Sequence, residues 1–140
     1  MEKITPELKK SIQASLVKAR AHLDYSYQRA NGIPLDRSPS EEQLETLESF
    51  ASRFARFSDL VIMRYLRALA LEKDPAFRGS VIDLLNLAEK YHWIGSADSW
   101  RRIRELRNVA AHEYEEEDYM KLYQELLRLT PHLLGLSMSL

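Results

Sequence analysis

The chain has 140 residues, no cysteine and a formal net charge of -1, and 45% of its residues are hydrophobic while 29% are charged. These values predict one globular domain over residues 1–140. The absence of cysteine excludes a disulfide framework and a thiolate metal site. The net charge excludes a protein that binds polyanions over its whole surface. The first ten residues, MEKITPELKK, lack the apolar stretch of a signal peptide, and no apolar run approaches the roughly 18 residues that span a bilayer. We therefore expect a cytoplasmic protein without membrane attachment.

Proline, glycine and capping residues divide the first half of the chain into two long stretches with helical periodicity. Thr5-Pro6 predicts the start of a first helix, because threonine caps well and proline fits the first helical position. This helix ends at Asn31-Gly32-Ile33-Pro34. Ser38-Pro39-Ser40-Glu41 resembles a capping box and predicts a second helix from about Pro39 to Glu72, which Asp74-Pro75 ends.

Three shorter helices are predicted in the second half. Ser80-Val81-Ile82-Asp83 caps the third, which closes before Gly95. The fourth begins between Ser96 and Ser99, and the fifth opens on Glu115 to Asp118, whose acids suit the positive end of a helix dipole. No stretch of alternating residues predicts a strand. The fold class is therefore all-α, an up-and-down bundle of four to five helices.

The fourth helix carries the most unusual stretch, RELRNVAAHEY at 104–114. At about 100° per residue, one face is apolar, and Arg107 lies only about 40° from its centre at Ile103. The core face consists of Trp100, Ile103, Leu106, Ala110 and Tyr114, and the opposite side of Arg101, Arg104, Asn108 and His112. A guanidinium at the edge of a core needs a partner or must extend to solvent. His112 is either a neutral base among arginines or a solvated side chain.

A carboxylate on the long helix is a candidate partner for that guanidinium. Asp59 shares a side of the helix with Ala55, Ile62 and Leu66. It is either a partly buried acid that pairs with Arg107 or a simple boundary acid.

Other site types find no support in the sequence. His22, His92 and His132 have no partner at metal-ligand spacing, and there is no glycine-rich phosphate loop. We therefore predict neither a metal nor a cofactor. The aromatic residues Phe50, Phe54 and Tyr65 recur at helical spacing and are predicted to be core.

The segment Arg107-Asn108-Val109-Ala110-Ala111-His112 resembles the R-x4-6-H motif of HEPN domains, which are all-helical bundles. With Tyr114 it becomes R-x4-H-x-Y, which is similar to the HepT-like toxin branch of that family. The resemblance implies a homodimer whose two motifs line one cleft, and a metal-independent endoribonuclease activity. It also implies a partner, a minimal nucleotidyltransferase that acts as antitoxin by transferring AMP to Tyr114. The alternative role for this tyrosine is a core-edge aromatic.

The residue types suit RNA cleavage without a metal. His112 has an intrinsic pKa near neutrality and suits the base that takes the 2'-hydroxyl proton. The forked donors of Arg107 suit two oxygens of the pentavalent phosphorane. Asn108 would orient the histidine or bind phosphate, and Arg101 and Arg104 would hold the flanking backbone. Since some HepT-like relatives are described only as nucleotidyltransferase-associated or substrate-binding proteins, a non-catalytic partner of the nucleotidyltransferase is the alternative.

Overall fold

The computed structural model describes the backbone of residues 3–110 and 116–138 and the side chains of residues 3–109 and 119–138, and every regular element in these ranges is helical. The predicted all-α class is therefore confirmed. The elements are α1 (Pro6–Ala30), α2 (Glu41–Leu60), a π-helical segment (Val61–Leu66), α3 (Arg67–Lys73), α4 (Val81–Lys90), α5 (Ala97–Ala110) and α6 (Glu116–Leu134). The π segment joins α2 to α3 without a break, so that residues 41–73 form one long helix. No helix in the described ranges has the length and apolarity needed to cross a membrane.

The helix starts follow the capping residues, with one correction. The Thr5 hydroxyl accepts a hydrogen bond from the Leu8 N–H at 3.1 Å, as predicted. The capping box predicted at Ser38 and Glu41 is wrong by two residues. The cap is Ser40, because its hydroxyl accepts from the Gln43 N–H at 3.1 Å while the Gln43 side chain accepts from the Ser40 N–H at 3.0 Å. This reciprocal pair satisfies two backbone donors that a helix start otherwise leaves open.

One apolar core joins the helices. The predicted core aromatics Phe50, Phe54 and Tyr65 are all buried, which confirms that assignment. The apolar face of α5 is also confirmed within the described residues: Trp100, Ile103 and Leu106 are buried in the same core. From α6 the core receives Leu122, Tyr123, Leu126, Leu129 and Leu133.

Helix α5 packs against α2, α4 and α6 and is held in place at its start and at both edges. At its start, the Glu89 carboxylate accepts from the Ala97 N–H at 2.8 Å. At the edge that faces α6, Arg102 donates to both carboxylate oxygens of Glu125, from Nε at 2.9 Å and from Nη2 at 2.5 Å. These hydrogen bonds raise the pKa of Arg102 and lower the pKa of Glu125. The remaining edge, which faces α2, carries Arg107.

Candidate functional site

Arg107 and Asp59 form a two-point ion pair between α5 and α2. The Arg107 Nε lies 3.0 Å from each carboxylate oxygen of Asp59, and Nη2 lies 2.9 Å from Oδ2. The side chains are 32% and 36% exposed, so the pair sits at the edge of the core. Hydrogen bonding to Asp59 raises the pKa of Arg107, which keeps the guanidinium charged. Of the alternatives left by the sequence, the structure shows a partnered Arg107 and a half-buried, paired Asp59.

The pair leaves part of the guanidinium free for a ligand. An arginine carries five N–H donors in a rigid plane. Asp59 engages the Nε hydrogen and one hydrogen of Nη2, and no other described residue accepts from this side chain, so Nη1 and the second Nη2 hydrogen have no partner among the described residues. The carboxylate therefore fixes the plane of the guanidinium while its outer donors point away from Asp59.

An open groove of about 490 Å³ lies beside this ion pair. Its lining consists of Ser52, Ala55, Arg56, Asp59, Leu60, Met63, Arg64 and Arg107. Three of these side chains are cationic, whereas the one carboxylate among them is already paired with Arg107. The groove is thus an electropositive concavity, which favours an anionic ligand.

Arg56 and Arg64 are candidate binding residues that the sequence analysis missed. Both are exposed, and no carboxylate in the described part of the chain forms an ion pair with either. A signal for them exists in the charge pattern of the long helix. Residues 41–48 carry four glutamates and no basic residue, whereas residues 49–71 carry four arginines and one acid, Asp59. This uneven charge pattern singles out the basic half of the helix as a candidate surface for an anion.

The π-helical segment shapes the same groove. It begins directly after Leu60 and buries Val61, Ile62, Tyr65 and Leu66 in the core. Met63 and Arg64, between these buried pairs, are exposed and line the groove. π-helical turns are rare and are often found at functional sites.

The other predicted site residues lie elsewhere. Arg101 donates from Nη1 to the Asp98 carboxylate at 3.0 Å, Arg104 is half-buried and Asn108 is exposed. Among the described residues, α5 contributes only Arg107 to the lining of the groove. Arg101, Arg104 and Asn108 are therefore not brought together with Asp59 there, and their proposed roles stay predictions. His112 and Tyr114 lie outside the described residues.

The histidines of the described ranges give no sign of a metal centre. His22, His92 and His132 are exposed. Among the side chains of residues 3–109 and 119–138, no three of the types that bind metals lie close enough together to hold an ion. The candidate site in the described part of the chain therefore consists of the Arg107–Asp59 pair and the groove beside it.

Comparison with known proteins adds no relative to these observations: no protein-family model, no curated protein and no solved structure matches this chain.

Proposed function

We propose that this protein is a HepT-like, metal-independent endoribonuclease of a toxin–antitoxin pair, active as a homodimer. Two independent features support the proposal. The first is the R-x4-H-x-Y pattern from Arg107 through His112 to Tyr114. The second, which carries the proposal, is that Arg107 is held in a fixed orientation at an electropositive groove by Asp59. An arginine that must meet a phosphate needs both a positive setting and a fixed plane.

The proposed reaction is an internal transfer at an RNA phosphate. His112 takes the proton of the 2'-hydroxyl, and the 2'-oxygen attacks the adjacent phosphorus. The bond from phosphorus to the 5'-oxygen breaks, and that oxygen leaves with a proton from solvent. The products are a 2',3'-cyclic phosphate and a 5'-hydroxyl. Charge builds up on the non-bridging oxygens in the transition state, where the free donors of Arg107 would stabilise it.

The remaining residues of the motif extend this mechanism. Asn108 follows Arg107 on the exposed side of α5 and would orient His112 or contact the phosphate. Arg101 and Arg104 would contact the RNA on the far side of that helix. In the proposed pair, a minimal nucleotidyltransferase inhibits the enzyme by placing AMP on Tyr114. The negative phosphodiester would then compete with RNA for the arginine.

A second function has one observation in its favour. Asp59 already occupies two donors of Arg107, and such a pair is also what a purely structural link between α2 and α5 requires. In that case the protein is a non-catalytic dimer that binds the nucleotidyltransferase and a nucleotide or its substrate. The two functions share a fold and a partner, and cleavage of RNA separates them.

The test is cleavage of single-stranded RNA by the purified protein in EDTA. His112→Ala and Arg107→Ala should each lower the rate on the order of 10²- to 10⁴-fold, as loss of a positioned base or charge does. The matched controls are His22→Ala and Arg37→Ala, which remove exposed residues of the same types elsewhere. If both motif variants cleave as fast as the parent, the nuclease is excluded and the binding protein takes its place. A particle mass from light scattering that corresponds to one chain would contradict the two-motif cleft.

A further inference from the structure

The groove along the long helix has more positive charge than the Arg107–Asp59 pair requires. The pair is neutral in itself, yet Arg56 and Arg64 flank it with two further positive charges. We infer that this groove binds the sugar-phosphate backbone of a single-stranded nucleic acid, which runs along Arg56 and Arg64 to Arg107. The inference extends the proposed function, since it names the surface that would deliver the substrate to the reacting arginine.

The two flanking arginines have the properties of phosphate ligands and lack those of structural ones. Structural arginines in this protein are held by other protein groups, as Arg102 is by Glu125 and Arg53 is by the His22 carbonyl and the Ser26 hydroxyl. Arg56 and Arg64 are exposed and have no ion-pair partner in the described ranges. A guanidinium without a carboxylate offers all of its donors to an incoming phosphate, and little has to be broken before binding.

The spacing of these arginines favours a strand over a single phosphate. Arg64 follows Arg56 by eight positions, which corresponds to roughly 12 Å along the axis at about 1.5 Å per residue. A stacked strand advances about 3.4 Å per nucleotide, so it covers that distance in roughly three to four nucleotides. Arg107 faces the stretch between them through Asp59. A strand of this length along the groove would therefore bring phosphates within reach of Arg56, Arg64 and Arg107.

The rest of the lining offers few side chains that could distinguish one base from another. Ala55, Leu60 and Met63 supply apolar surface, and Met63 is 42% exposed. Apart from the arginines, the polar side chains of the lining are Ser52 and the paired Asp59. Base edges are distinguished by hydrogen bonds, whereas apolar contacts tolerate any base. The groove should therefore bind RNA and DNA single strands alike, because guanidinium contacts to phosphate do not depend on the 2'-hydroxyl.

The test measures binding of a labelled twelve-nucleotide RNA by fluorescence anisotropy over a range of salt concentrations. The RNA carries 2'-O-methyl groups, which remove the nucleophile, so that binding is measured without cleavage. Each neutralised phosphate of a single strand contributes about -0.7 to the slope of log K against log salt. The three arginines of the groove therefore contribute about -2 to the slope, and the double variant Arg56→Gln/Arg64→Gln should lose about 1.4 of it.

Controls and a second substrate complete the design. Arg37→Gln removes an exposed arginine in the segment between α1 and α2, where it forms an ion pair with its neighbour Asp36, and should leave the slope unchanged. A DNA strand of equal length should bind with the same slope and resist cleavage. Circular dichroism of each variant checks that the helices are intact.

The outcomes separate this inference from the nuclease itself. A double variant with the parent's slope, or a parent that binds neither strand, overturns the nucleic-acid groove. A parent that cleaves unmodified RNA while the double variant binds normally removes the groove and keeps the nuclease. A parent that binds through Arg56 and Arg64 but leaves unmodified RNA intact keeps the groove and removes the nuclease.

Discussion

The ion pair between Asp59 and Arg107 can be tested by a double-mutant cycle, independently of any activity. The variants are Asp59→Asn, Arg107→Gln and the combination of both. Each single change leaves one charge of a partly buried pair without its partner, whereas the double variant leaves two neutral amides that can bond to each other. We expect the double variant to be less destabilised than the two single variants added together.

The size of the effect follows from the geometry. Two unit charges about 4 Å apart attract each other by about 1 kcal/mol in water and by about 4 kcal/mol at an effective dielectric constant of 20. With contacts of 2.9 to 3.0 Å but roughly one third of each side chain exposed, this pair lies towards the weaker limit. Immobilising two side chains lowers the net value further, so a coupling energy of about 1 kcal/mol is expected.

Urea denaturation at one protein concentration gives the free energy of unfolding of the four proteins, and the fixed concentration keeps any dimerisation term constant. Repeating the cycle in 1 M salt should reduce the coupling, because the screening length falls to about 3 Å. If the single effects add to within about 0.3 kcal/mol at low salt, the two residues do not interact, and the description of the site given above is wrong.

Two further predictions concern the other edge of α5 and the tyrosine of the motif. Glu125→Gln should lower the free energy of unfolding by about 1 kcal/mol at pH 7, since Arg102 stabilises the charged carboxylate. Because the pKa of Glu125 is lowered in the folded state, the contribution is complete above the ordinary glutamate pKa and disappears as the pH falls through the folded one. Urea titrations at pH 7 and pH 3 should therefore show the parent and the variant converging in acid, and a constant difference would refute this. Incubation with the nucleotidyltransferase of the proposed pair, ATP and magnesium should add the mass of AMP to the parent and not to Tyr114→Phe; equal labelling of both proteins would remove Tyr114 from the proposed regulation.

The sequence predicts the parts of this fold that depend on neighbouring residues. Thr5 and Ser80 mark helix starts because a cap is a local contact between a side chain and the next turn. The misplaced box at Ser38 shows the limit of such signals. Ser38…Glu41 and Ser40…Gln43 overlap and both fit the pattern, and only the three-dimensional hydrogen bonds distinguish them.

Features that depend on how helices meet were only partly predictable. The position of Arg107 at the core edge follows from periodicity, but its pairing with Asp59 depends on the packing of α5 against α2. Arg56 and Arg64 were missed because an exposed arginine on a helix usually serves solubility. The π segment was missed because the apolar residues around it continue a helical stripe, and an inserted residue within a turn leaves no mark in composition.

The two kinds of arginine in the groove divide the work of binding an anion. Asp59 cancels much of the long-range field of Arg107, so this residue attracts a distant strand weakly and acts mainly on a phosphate in direct contact. In the proposed groove, Arg56 and Arg64, which have no carboxylate partner in the described ranges, would supply the field that attracts a strand. If Asp59 were absent, attraction would increase, but the plane of Arg107 would be free to rotate. Orientation matters more than attraction at a reacting phosphate, because misplacement by about 1 Å can cost on the order of 10²-fold in rate. Asp59 weakens the electrostatic field of Arg107 but fixes the plane of its guanidinium, which is what a catalytic arginine needs. The neighbouring arginines would compensate for the attraction that Asp59 removes.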